Sequence, residues 1–114
     1  MIDFHKEFAK ALQTVLPTHY EMTLTAGRAT PCISYMELNN SVEIGTDAAE
    51  YSRITYQVKV WSTELSELQT YALRVVDAVR PLGFKRTGSR ELYDNNSTMI
   101  QKIMTFEAYS LEKL

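Results

Sequence analysis

Between Ser52 and Val60 the chain alternates strictly, with Ile54, Tyr56, Val58 and Val60 set against Arg53, Thr55, Gln57 and Lys59. A period of two over that length fits an extended strand with one face buried and the other wet. Such a strand belongs in a sheet, and its apolar face needs a second layer to cover it. Two amphipathic helices supply that layer. Phe4, Phe8, Ala11, Leu12 and Val15 form one stripe at helical spacing, which predicts a helix over about residues 3–16, capped by Asp3 and stopped by Pro17. Leu65, Leu68, Ala72, Val75, Val76 and Val79 form the second stripe. Thr63 is its expected N-cap, Glu64 and Glu67 favour its dipole, and Pro81-Leu82-Gly83 ends it.

Four further segments complete the order. Tyr20, Met22 and Leu24 alternate with Glu21 and Thr23, and Cys32 to Leu38 is rich in strand formers. The Gly and Pro of residues 25–31 mark a connection, and a hairpin is the natural pairing of two consecutive strands. Residues 39–50 mix turn formers with isolated apolar side chains, and they predict a long loop, with bent strand ends as the alternative. Phe84 to Tyr93 and Thr98 to Tyr109 predict two more strands, divided by Asp94-Asn95-Asn96-Ser97. Gly88 inside the first of these indicates a bulge or break. The expectation is an α+β fold: helix, three strands, helix, two strands, with both helices on one face of a mostly antiparallel sheet of about five strands. The 114 residues have the length of one domain, 1–114, with no repeat or linker. At that size about two-thirds of the unfolded surface is buried on folding, enough for a core without disulfide or metal staples.

Charge narrows the function classes. Twelve Lys and Arg against fourteen Asp and Glu leave no cationic excess for neutralising phosphates, so specific nucleic-acid binding is not expected. No uncharged stretch approaches the roughly 20 apolar residues of a membrane span. The opening residues do not read as a secretory signal, and the lone Cys32 fits a reducing compartment.

Candidates for chemistry are few. His5 and His19 have no Cys or carboxylate partner at metal-ligand spacing, and ordinary surface or edge histidines explain them better. Cys32, in a strand beside Ile33, reads as a small buried hydrophobe rather than a nucleophile. Glu43, Asp47 and Glu50 share the 39–50 loop but lack the Asp-x-Asp-x-Asp-Gly pattern of a calcium site. No glycine-rich phosphate cradle is present. Neither a metal nor a cofactor is expected. Lys85, Arg86 and Arg90 are the densest cationic patch, a wet strand face or a guarded edge. Tyr51, Tyr56, Trp61 and Tyr71 exceed what one small core takes in, and some of that surface is expected to meet another chain. Two classes remain from the residues alone: an assembly module, or a small α+β ligand-binding or enzymatic domain. A third is a regulatory domain that only dimerises.

One ordered set of motifs carries a resemblance. Tyr56-Gln57-Val58-Lys59-Val60-Trp61-Ser62, an acid-started helix, Pro81-Leu82-Gly83-Phe84-Lys85-Arg86 and a last strand through Phe106 follow one another. This resembles the small tail-completion proteins of long-tailed bacteriophages and prophages, also called tail terminators or head–tail joining proteins. Trp61-Ser62, Gly83-Phe84, Arg86, Asp94 and Phe106 fill the places of the family pattern, and Pro31-Cys32-Ile33-Ser34-Tyr35 is similar to its Pro-x-Ile-x-Tyr strand. The resemblance implies a structural virion protein of tail and neck, without catalysis, assembled in the cytoplasm of the host bacterium. It implies a ring, commonly of six subunits, that caps the tail tube. The implied partners are further copies of itself, the tail tube protein and the head–tail connector proteins. Val42, Glu43, Ile44, Asp47, Glu50 and Tyr51 in and beside the loop, with Arg86 and Arg90, are the candidate protein-interface residues.

Overall fold

The computed structural model describes residues 4–20, 31–44, 50–94 and 99–110. Helix α1 spans Phe4–Gln13, followed by strands β1 (Thr18–Tyr20), β2 (Cys32–Ile44) and β3 (Glu50–Ser62). Helix α2 spans Leu65–Val79 and runs into a 3-10 turn at Arg80–Leu82. Strands β4 (Lys85–Asp94) and β5 (Met99–Ser110) close the order. The five strands form one sheet in the order β1-β2-β3-β5-β4, antiparallel throughout except for β1 against β2. The α+β architecture expected from the periodicities is the one observed.

The alternation from Ser52 to Val60 places the core. Ile54, Tyr56, Val58 and Val60 join Ile33 and Tyr35 of β2 and Met104, Phe106 and Ala108 of β5 on one sheet face. Phe8 and Leu12 of α1 and Leu68, Ala72, Val75 and Val79 of α2 pack onto that same face. The Phe8 ring stacks on Tyr56 with centroids 4.3 Å apart and planes at 10°, and Phe84 closes on Phe8 at 4.8 Å. Beyond the area they bury, such aromatic pairs contribute about 0.5–1.5 kcal/mol each. Gly83 ends the 3-10 turn in the left-handed region (φ 90°), with its N–H donating to the Arg80 carbonyl at 2.9 Å. A residue with a Cβ adopts that conformation at a cost.

Several expectations are corrected. The 39–50 loop is not a loop over most of its length: 39–44 continue β2, and Glu50 already belongs to β3. Ile44 stands opposite Glu50, Glu43 opposite Tyr51 and Val42 opposite Ser52. Asn and Ser lower strand propensity, but a long antiparallel partner supplies hydrogen bonds whatever the side chain. Residues 45–49 lie outside the described residues.

The expected hairpin of β1 with β2 is a parallel pair instead, with Thr18 opposite Ile33 and Tyr20 opposite Tyr35. Adjacency in sequence identified the neighbour but not the direction, because the eleven residues from 21 to 31 leave room to return. Residues 21–24, read as the rest of that first strand, lie outside the described residues.

Helix α2 begins one residue later than expected. Glu64 is its N-cap and makes no side-chain cap bond, while the Glu64 N–H donates to Ser62 Oγ at 3.1 Å. Leu65, counted into the apolar stripe, is 46% exposed. Helix α1 ends at Gln13, with turn residues continuing to Leu16, and its expected cap Asp3 lies outside the described residues. Tyr56 and Trp61 are buried and Tyr71 packs against the core, so the fold itself absorbs most of the supposed aromatic excess.

Candidate functional site

Among the described residues, strand β5 accompanies β3 as far as Ser110, opposite Ser52. Beyond that row β2 and β3 continue as a ribbon to Ile44 and Glu50 among the described residues. The Cα radius of gyration is 15.2 Å, above the roughly 13 Å of a compact chain of this length. The principal extents are 50 × 23 × 22 Å. Glu43, Ile44, Glu50 and Tyr51 thus lie together at this end of β2 and β3, next to Val42 in the row of Ser52. Asp47, assigned to the same site from the sequence, lies outside the described residues.

Arg86 and Arg90 are elsewhere. Arg86 is level with Tyr56 of β3, six residues from Glu50, which is about 20 Å along the strand. Arg90 is level with Lys59, farther still. The two arginines also point to opposite sides of the sheet. Arg86 shares the helix-covered face with Phe106, whereas Arg90 is opposite Ile103 on the other face. The cause is the register shift between Arg86 and Gly88, which makes Thr87 an extra residue and resets the alternation. The bulge expected at Gly88 is there, and it divides what the sequence presented as one cationic patch.

On the face without helices, Cys32 stands opposite Trp61, and the indole N–H donates to Ser34 Oγ at 3.0 Å in a buried setting. Cys32 is fully buried, whereas a reactive thiol needs access to its substrate. Along the same face a shallow depression of about 240 Å³ lies among Gln57, Gly88, Ser89, Arg90, Ile103 and Thr105. Its lining offers the hydroxyls of Ser89 and Thr105 but no general base to activate them. His5 sits over Tyr35, with Nε2 3.3 Å from the phenol oxygen and ring centroids 5.7 Å apart. Burial, with a smaller contribution from Tyr20, pushes the Tyr35 phenol above its ordinary value. Among the described residues no three His, Cys, Asp or Glu side chains converge on a point that could hold a metal ion. Among them, too, no helix is long and apolar enough to cross a membrane.

The outer strand β4 carries a local ion pair: Lys102 Nζ lies 3.0 Å from Glu91 Oε1. The hydrogen bond from Lys102, with its charge, holds the Glu91 carboxyl below the usual range. Tyr109 donates to Glu107 Oε1 at 2.6 Å, and that bond pushes its phenol up.

Sequence reasoning missed where the exposed apolar side chains fall. Tyr20 and Leu38 lie at the β1–β2 edge, and Leu92 and Tyr93 on β4, with Leu65 and Leu73 on the outside of α2. No local signal marks them, because they differ from core residues only in register. The arrangement offers surfaces for other chains and no assembled chemistry. Comparison with curated proteins finds no match. The model of the family described as Tail completion protein gp17 matches residues 9–110, and the chain belongs to this family of structural, non-enzymatic phage tail completion proteins.

Proposed function

We propose that the protein caps the tail tube and joins it to the head connector, as a closed ring of about six copies. Family membership implies the tail–head joining role and tail partners in the virion. The observation that carries the finer reading is that the two edges of the sheet are unlike, with Tyr20 and Leu38 exposed at one and Leu92 and Tyr93 at the other, beside further exposed apolar side chains on α2 and at Tyr109 of β5. A ring needs such a heterologous pair of patches, whereas a dimer uses one patch twice. In this reading the end of β2 and β3 that carries Ile44 and Glu50 meets a third surface. In this reading Val42, Glu43, Ile44, Asp47, Glu50 and Tyr51 contact the tube end. The test adds purified protein to growing tail tubes and measures tube length and end structure by electron microscopy. Capping stops growth and leaves a ring-shaped density at one end. Tubes that keep lengthening with bare ends would refute it.

A further inference from the structure

Among the described residues, Glu37 and Arg86 stand at the two ends of a single row across the sheet. Glu37 is opposite Tyr56, Tyr56 is opposite Phe106, and Phe106 is opposite Arg86. Directly opposite residues share a face, so both charges lie on the helix-covered side with the buried Tyr56 and Phe106. Three strand spacings, about 14 Å, separate β2 from β4, so the two do not pair within one subunit. Each end of the row also carries an irregularity, Leu38 in β2 and Thr87 in β4 being skipped in the register. The Tyr20 hydroxyl accepts the Glu37 N–H at 3.4 Å, which brings Tyr20 alongside Glu37 on that edge.

Charges and bulges on edge strands block unselective pairing. Here the two edges carry opposite signs at the same height. Two β4 edges set parallel at equal height would bring Arg86 against Arg86. A β4 edge beside the β1–β2 edge of another copy brings Arg86 to Glu37. Strand direction agrees, because three antiparallel steps leave β4 running opposite to β2. A neighbour's β1–β2 edge laid along β4 therefore continues the antiparallel alternation. Copies related by rotation alone, about an axis along the strands, sit at equal height, so the ends of one row meet. Exposed Tyr20 and Leu38 flank the Glu37 end, whereas the exposed Leu92 and Tyr93 lie six and seven residues along β4 from Arg86, level with Cys32 and the start of β2.

We infer that the ring's subunit contact joins the β4 edge of one copy to the β1–β2 edge of the next, with Arg86 of one facing Glu37 of the other. This rests on the ring reading above. The test is a charge exchange: Glu37→Arg, Arg86→Glu, and the two together, each checked for fold by circular dichroism. The ring population is measured by light scattering and chemical cross-linking, in solution and on capped tubes. Each single reversal sets like charges at every contact and lowers the ring population by roughly tenfold or more. The double variant restores it to the wild-type level. Rings that persist in both single variants, or that stay lost in the double variant while the wild type forms them, would overturn the edge contact and leave the ring reading standing. A wild-type protein that forms no ring in solution or on tubes would overturn both.

Discussion

Trp61 and Ser34 join β3 to β2 through a buried hydrogen bond, indole N–H to hydroxyl, at 3.0 Å on the sheet face that carries no helix. Trp61 is 6% exposed and Ser34 3%. Ser34→Ala leaves the indole N–H without this acceptor inside the protein, which costs about 1–3 kcal/mol. The expected drop in melting temperature is roughly 4–8 °C per kcal/mol for a domain near this size. Trp61 is the single tryptophan, so its fluorescence reports unfolding in the variant directly. An unchanged urea midpoint would mean that the bond contributes nothing.

The core assignment has a sharper test. Val58 and Val75 are fully buried, one in the sheet and one in α2. Aspartate at either site is an unpaired buried charge costing several kcal/mol, against a total stability of roughly 5–15 kcal/mol. Val75→Asp is expected to abolish the folded circular dichroism signal. Leu73→Asp, at a site on the same helix that is 63% exposed, keeps it. Equal melts for the two would refute the assignment of the helix faces.

Acid should weaken the β4–β5 pairing in a defined window. The Glu91 carboxyl titrates below its ordinary 4.5, chiefly through its hydrogen bond to Lys102. A lowered carboxyl stabilises the fold above its unfolded value, and the contribution disappears as pH falls through the lowered folded value. Glu91→Gln should therefore lower the urea midpoint at neutral pH, with the difference from wild type shrinking below about pH 4.5. The pair is partly exposed, so added salt reduces the difference as well. A difference that is constant from neutral pH to acid would remove Glu91 as its source.

The Ile44 end of β2 and β3 can be tested apart from the core. Val42→Ser together with Ile44→Ser alters two strand positions near the end of the ribbon. The change in strand preference costs up to about 1 kcal/mol at each position, so the domain stays folded with a lower melting temperature. Tube capping, read by electron microscopy, is expected to fail. Normal capping would remove this end from the tube contact, and loss of the fold would place both residues in the core.

Legibility in the sequence followed how locally each feature is encoded. The alternation at 52–60, the two helical stripes and the Pro-Leu-Gly stop identified β3, α1, α2 and the end of α2, because a segment's own periodicity decides which face it buries. The bulge near Gly88 was also legible, since a glycine within a strand run has few other uses. The extension of β2 through 39–44 was hidden, because its strand state comes from a partner thirteen residues long rather than from its own Asn and Ser.

The sequence by itself determined the fold class, the core and the family, which rest on patterns of neighbours along the chain. Tertiary structure alone decided the direction of β1, the separation of Arg86 from Arg90, and the row that sets Glu37 and Arg86 at opposite edges. Each of these depends on register between strands far apart in sequence. A slip of one residue moves a side chain to the other face, and no local pattern records which register the packing selects.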